Sequence, residues 1–349
     1  MSATTEPDTA ERPDPVLQEV PLGTQWPTID PFLFCAHHRD AYPEGDEELG
    51  PAVGFAGRDI GQDFAGKDGW NMYHGSHVPG FPHHPHRGFE TVTVVRQGLI
   101  DHSDSLGATA RFGRGDAQWL TAGRGVVHSE MFPLVDRDGP NPLHLFQIWL
   151  NLPAADKLVD PYFTMLWSED IPRVTHTDDA GRTTAVTVYA GALDGVEPLA
   201  PPPNSWAARP EADLAIWHLE LEPGASWTLP PAAGPDTIRV LYVFEGDGIE
   251  VGGHAVGNDV GAVVRCDAPV ELVGGSAPAE VLVLQGRPIG EPVARYGPFV
   301  MNTEQEIRQA FDDYNATQFG GWPWDDDAPH HGPTRGRFAL HADGHLEER

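Results

Sequence analysis

The sequence predicts an all-β protein built as two similar β-barrels in tandem, with few short helices. Short runs rich in β-branched and aromatic residues alternate with Gly, Pro and Asp at the spacing of sandwiches and barrels. Helical periodicity is scarce. A weak internal repeat completes the case: VTVVRQGLID around Gly98 and RVLYVFEGDGIEV around Gly246 each give a strand, a polar-Gly turn and a second strand. Each copy then leads into a turn containing Gly and Asp, GRGDAQWL in the first and GNDVGAVV in the second.

Taken in order, residues 1–25 read as a disordered tail rich in Pro, Thr and Glu. The first barrel, with its surrounding segments, is expected over residues 26–196, with strands at Thr91–Arg96, Ala117–Thr121, Val126–Met131, Leu143–Leu152 and Ala185–Ala190. The Pro-rich stretch EPLAPPPNSW, Glu197–Trp206, reads as the join. A second barrel follows over residues 197–300, with strands at Leu214–Leu221, Thr237–Phe244 and Val281–Leu284. Residues 301–320 carry a packing helix: Thr303 and Glu306 form a capping-box pair, and Ile307, Ala310 and Phe311 share an apolar face. Residues 321–349 read as an irregular tail.

The 349 residues exceed what one growing core usually holds, which suits two domains. With 22 basic and 52 acidic residues the formal charge is −30, and the excess is spread along the chain. Such a field repels phosphate backbones and anionic lipid, so direct nucleic-acid and membrane-surface roles are excluded from the expectation. Cys35 and Cys266 are too few for a disulfide framework, the start MSATTEPDTAERPDP has no apolar signal core, and no run of about 18 apolar residues occurs. A cytoplasmic protein, stable as a monomer, is expected.

The stretch FPHHPHRGFETV, Phe81–Val92, carries the chemistry. A residue before proline is held extended, and in extended chain positions i and i+2 face the same way. His84 and His86 therefore project together while His83 points away. A second pair of the same parity, His128 and Glu130, follows the Gly-rich turn Gly123–Gly125. If the two strands lie side by side at about 4.8 Å, three imidazoles and a carboxylate converge. That set suits Fe, Mn, Ni, Cu or Zn and leaves coordination positions open for water, substrate or dioxygen. Phe89, Trp119 and Phe132 are available to line the barrel.

Glu90 shares the parity of His84 and His86 and competes with Glu130 as a ligand. His37, His38, His74, His77, His102 and His144 read as surface or satisfied buried residues, and His330, His331, His341 and His345 as tail residues without a role at this site. In the second copy, His218 and His254 belong to no such pair, so that barrel is expected to be metal-free.

FPHHPHRGFETVTVV, GRGDAQWLTAGRGVVHSEMF, LHLFQIWLNLP and RYGPFVMNTEQEI closely resemble the pirin family of the cupin superfamily, a likeness covering most of residues 26–315. The resemblance implies a bicupin with one metal, typically iron(II), in the N-terminal barrel, held by His84, His86, His128 and Glu130. It puts Glu90 where other cupins, but not pirins, have a ligand. The family usually has an acidic residue where this chain has His83, and the stretch CAHHRDAYPEGDEELGPAVGF and the long C-terminal tail depart from shorter members. The resemblance further implies flavonol (quercetin) 2,3-dioxygenase activity on a small aromatic substrate, with Glu130 accepting a proton. The alternatives are a metal-dependent regulatory protein binding a partner enzyme or transcription regulator, and another cupin enzyme such as an isomerase. Arg87 and Arg124 form nothing that resembles a phosphate cradle.

Overall fold

The computed structural model describes residues 14–349. Strands β1 (Val16–Pro21), β2 (Gln25–Trp26) and β3 (Phe32–Tyr42) precede a long loop to β4 (Gly80–His86). Then come β5 (Phe89–Gln97), β6 (Leu99–Asp104), β7 (Thr109–Gly113), β8 (Ala117–Thr121), β9 (Val126–Met131), β10 (Asn141–Asn151) and β11 (Tyr162–Leu166). The second half holds β12 (Arg173–Thr177), β13 (Thr183–Ala190), β14 (Ala215–Leu221), β15 (Ser226–Leu229), β16 (Ile238–Glu245) and β17 (Ile249–Val251). It continues through β18 (His254–Val256), β19 (Val260–Val264), β20 (Val270–Gly274) and β21 (Ala279–Gly286). A hairpin, β22 (Ala294–Tyr296) and β23 (Phe299–Met301), leads to helix α1 (Glu304–Thr317), and the chain closes with β24 (Phe338–Leu340) and β25 (Leu346–Glu348).

Period-two alternation layers these strands. On β5, Val92 and Val94 pack with Ile216, Tyr242 and Leu284 of the second half, whereas Val95 turns the other way and packs with Ile100, Phe112 and Leu145. The sheet β11-β8-β5-β10-β3-β2 is thus apolar on both faces: one meets the sheet β25-β24-β7-β6-β9-β4, the other meets β1-β19-β16-β21-β14-β13-β12. The small sheet β15-β20-β17-β18 covers the far side of the second half. The all-β expectation with two tandem halves and few short helices holds. Among the described residues no ladder joins the edges of paired sheets, so each half is a cupin-like stack of two sheets left open at its edges.

The structure departs from the expected boundaries at three places. Of the N-terminal segment expected to be disordered, residues 1–13 lie outside the described residues, but β1 pairs antiparallel with β19, Val20 opposite Gly261, and covers that sheet edge. The join expected at Glu197–Trp206 lies inside the second half instead, because β12 and β13 pair onward to β14. Its prolines interrupt a connection between neighbouring strands, and Trp206 packs into the core between the halves. The C-terminal segment expected to be irregular contributes β24, which pairs with β7, Ala339 opposite Ala110. Phe338 and Ala339 are 2% and 0% exposed there. These strands are too short to show a period in sequence. The two chain ends therefore cross, the N-terminal strand joining the second half and the C-terminal strand joining the first.

Helix α1 follows its expectation. The Thr303 hydroxyl accepts from the Glu306 N–H at 3.2 Å, and Ile307 and Ala310 pack on Phe299 and Met301. The free cysteines are both buried, and no helix is long and apolar enough to cross a membrane among the described residues.

Candidate metal centre

β4 and β9 lie antiparallel with His84 opposite His128, so the two i, i+2 pairs share one face of the outer sheet as expected. The rings of His84, His86 and His128 converge with centroids 4.6 to 4.9 Å apart. One nitrogen from each lies within 4.8 Å of the others, and His84 Nε2 and His128 Nε2 approach to 3.1 Å. His84 Nδ1 donates to the Pro82 carbonyl at 2.8 Å and His86 Nδ1 is 3.4 Å from the Pro298 carbonyl, which orients both Nε2 atoms inward. Burial lowers His84 to about 4 and drives His86 and His128 well below their ordinary value, with neighbouring rings adding to the effect.

Glu130 sits beside this trio rather than within its tightest grouping. Its Oε2 is 3.9 Å from His128 Nε2. Gln147 Nε2 donates to Oε2 at 2.8 Å, and the Thr93 hydroxyl lies 3.2 Å from Oε1. Burial raises its pKa, against the lowering effect of His102 and these hydrogen bonds. A cation would satisfy what the site contains: convergent, unprotonated nitrogens and a desolvated carboxylate. The donor set fits a first-row divalent metal.

Glu90 is placed elsewhere. It lies on β5 with Val92 and Val94 on the face toward the second half, and its carboxylate accepts from the Thr121 hydroxyl at 2.6 Å and from the Ser205 hydroxyl at 2.5 Å. Parity counted from His86 fails because the chain passes through Arg87 and Gly88, the latter at φ +85°, and changes sheets between β4 and β5. Burial raises Glu90 to about 7. His83 turns away as expected, stacking on Trp322 at 5.2 Å. Trp119 faces the core between the halves, while Phe89 packs on His86 at 5.1 Å and Phe132 lines the cavity.

That cavity, of about 490 Å³, opens onto His84, His86 and Glu130 between aromatic walls that include Phe34, Phe81, Phe132 and Trp149. Sequence reasoning did not single out Thr93 and Gln147, which grip Glu130. The available signal was a polar residue at the inward parity of an apolar strand, Gln147 between Leu145 and Trp149. His102, read as satisfied, is fully buried opposite Glu130 on β6, its ring 5.5 Å from His128. His331 docks its backbone N–H on Asp101 at 2.8 Å, tying the tail to the outer face of the same strand. In the second half, His218 bonds Glu280 at 2.7 Å and His254 lies between Asp14 and Glu19.

Comparison with known proteins agrees with this architecture. The pirin family model matches residues 15–150 and the pirin C-terminal cupin domain model matches residues 216–320. A Pseudomonas aeruginosa protein, provisionally named a quercetin 2,3-dioxygenase, is 37% identical over 240 residues, 69% of this chain and 79% of its own. Human pirin is 33% identical over 256 residues, 72% of this chain and 81% of its own. The solved structure of quercetin 2,3-dioxygenase from Acinetobacter baumannii superposes with a TM-score of 0.68 at 26% identity, covering 88% of this chain and 98% of that one. With both family models matched in order along one chain that holds a three-histidine cluster in its first half, the protein belongs to the pirin family of cupin-fold proteins.

Proposed function

We propose that the chain is a metal-dependent dioxygenase acting on flavonol-type substrates, with iron(II) as its working metal held by His84, His86, His128 and Glu130. The observation that carries this is that His84 and His86 of the histidine cluster, together with Glu130, line one aromatic cavity. Its volume, about 490 Å³, falls in the range of small-molecule sites. Phe81, Phe132 and Trp149 offer faces for a planar ring system. The names of the Pseudomonas and Acinetobacter relatives support the same substrate class.

Bound there, the metal supplies Lewis-acid polarisation of a hydroxyl–keto pair and the redox chemistry that dioxygen requires. The protein's part is positional and protonic. Glu130 accepts the proton of the substrate hydroxyl. Gln147 and Thr93 keep the carboxylate in reach of that proton. The aromatic walls exclude water and hold the ring plane.

A sugar-phosphate isomerase would need cations converging on the cavity. Arg39, which lines the cavity, instead pairs with Glu245 at 2.6 Å, while Arg87 pairs with Asp313 at 2.7 Å and Arg124 with Asp160 at 3.1 Å. The test is elemental analysis of purified protein followed by aerobic turnover of quercetin with carbon monoxide measured, His128→Ala serving as control. Turnover by the metal-loaded protein no faster than by the free metal ion sinks the proposal.

A further inference from the structure

The cavity contains a second polar group that the chemistry above leaves unused. On β3, Cys35 turns toward the second half, whereas His38 and Asp40 stand opposite Leu145 and Leu143 on the inward face. His38 lines the same cavity as His84, His86 and Glu130. Its ring and that of His84 both lie against Phe81, at centroid distances of 6.0 and 6.3 Å.

A chain of hydrogen bonds fixes the proton on this ring. Asp40, 2% exposed, accepts from the Asn71 backbone at 2.8 Å, the Asn71 amide at 3.0 Å and the Tyr73 hydroxyl at 2.7 Å. A phenol has one proton, and above pH about 6, the value to which burial raises Asp40, the ionised carboxylate accepts the hydrogen bond from it. The Tyr73 oxygen therefore accepts from His38 Nδ1, 2.8 Å away. Burial lowers His38 to about 4, so the ring is neutral and its Nε2 carries a free lone pair. No protein group bonds that nitrogen among the described residues, which leaves it to the cavity. Tyr73 is held at φ 56°, a backbone region that bulky residues seldom occupy and that persists where the surroundings dictate it.

We propose that His38 is a second anchor for the ligand: its Nε2 accepts a hydrogen bond from a phenolic hydroxyl remote from the histidine cluster, with Tyr73 and Asp40 as positioning residues that keep that nitrogen unprotonated. The inference rests on the flavonol reading of the cavity and adds a preference for polyhydroxylated over sparsely hydroxylated rings. A site that spends a lone pair on a substrate hydroxyl discriminates against the analogue lacking it.

Two measurements test it. Long-range proton–nitrogen NMR on metal-free protein reports the His38 tautomer without any ligand, and Nδ1–H with bare Nε2 is expected. Equilibrium fluorescence titration of zinc-loaded protein then compares quercetin with 3-hydroxyflavone, which keeps the hydroxyl–keto pair and lacks the other hydroxyls. Wild type should favour quercetin by about tenfold. His38→Leu should bring the ratio close to one, and Tyr73→Phe, the milder change, should lower it and perturb the tautomer. A proton on Nε2, or an unchanged ratio in both variants, overturns the anchor. A ratio that collapses as expected in the zinc-loaded variants, with no turnover by the iron-loaded wild type, overturns the dioxygenase proposal alone. Wild type that binds neither flavonol overturns both.

Discussion

Metal uptake at the histidine cluster is expected to displace no more than about one proton at pH 5.5. Burial holds His84 at about 4 and pushes His86 and His128 well below 6.5, so all three imidazoles are already unprotonated there. Three histidines of ordinary pKa, about 6.5, would each be about nine-tenths protonated at that pH and would release about three protons on binding. Glu130, raised by burial, is the remaining donor that can lose a proton, and it sets the ceiling at one. The count comes from calorimetric titration of metal-free protein with Zn(II) in two buffers of different ionisation enthalpy. The affinity should accordingly fall by no more than about tenfold per pH unit below neutrality, against a limit approaching a thousandfold for three ordinary histidines. Release of two or more protons at pH 5.5 refutes the reasoning, because it requires imidazoles that stay charged inside the fold. The same shifts set the stability of the metal-free protein. A folded pKa below the unfolded one means that the unfolded chain gains protons first as pH falls, so stability is lost from about pH 6.5 down toward 4. His84 alone, moving from 6.5 to about 4, accounts for about 3 kcal/mol of that loss.

Glu90 provides an opposite pH signature. Its folded pKa is raised from 4.5 to about 7, so wild-type stability is lost as pH rises through that window. Glu90→Gln removes this dependence, and its stability relative to wild type, read by urea unfolding, should improve by about 3 kcal/mol between pH 4.5 and 8 with metal content unchanged. A pH-independent difference contradicts the placement of this carboxyl. Phe338→Ala, which empties a site 2% exposed, should cost about 3–5 kcal/mol or release the C-terminal strand to protease; an unchanged urea midpoint together with an unchanged cleavage pattern contradicts the docking of β24. At Gly123, φ is +49° and an added Cβ would lie 2.1 Å from the Val159 carbonyl oxygen. Gly123→Ala should destabilise by about 2 kcal/mol or more and lower metal stoichiometry, because it shifts the turn leading into β9. Full zinc occupancy with wild-type stability refutes that.

What the sequence determined by itself follows from local geometry. His84 with His86, and His128 with Glu130, each lie within a single strand, where period two is enforced by the backbone and carries from sequence to structure unaltered. The two-copy strand pattern and the Thr303 cap are local in the same sense, and both were legible. What only the tertiary structure decided is which strands lie side by side and across which turns the parity breaks. The sheet change at Gly88 decided between the two readings of Glu90, turning it away from the histidines. The Pro-rich loop looked like a join because proline interrupts strands within a domain as readily as between domains. The chain ends were unreadable because β1 and β24 are stabilised by edges far along the chain, at Val260–Val264 and Thr109–Gly113. His38 could not be told from a surface histidine, since its role depends on Asp40 and Tyr73 meeting across a loop that encodes no periodic signal. Pairing between segments distant in sequence is set by the total apolar burial of the whole chain, and no single stretch carries that information.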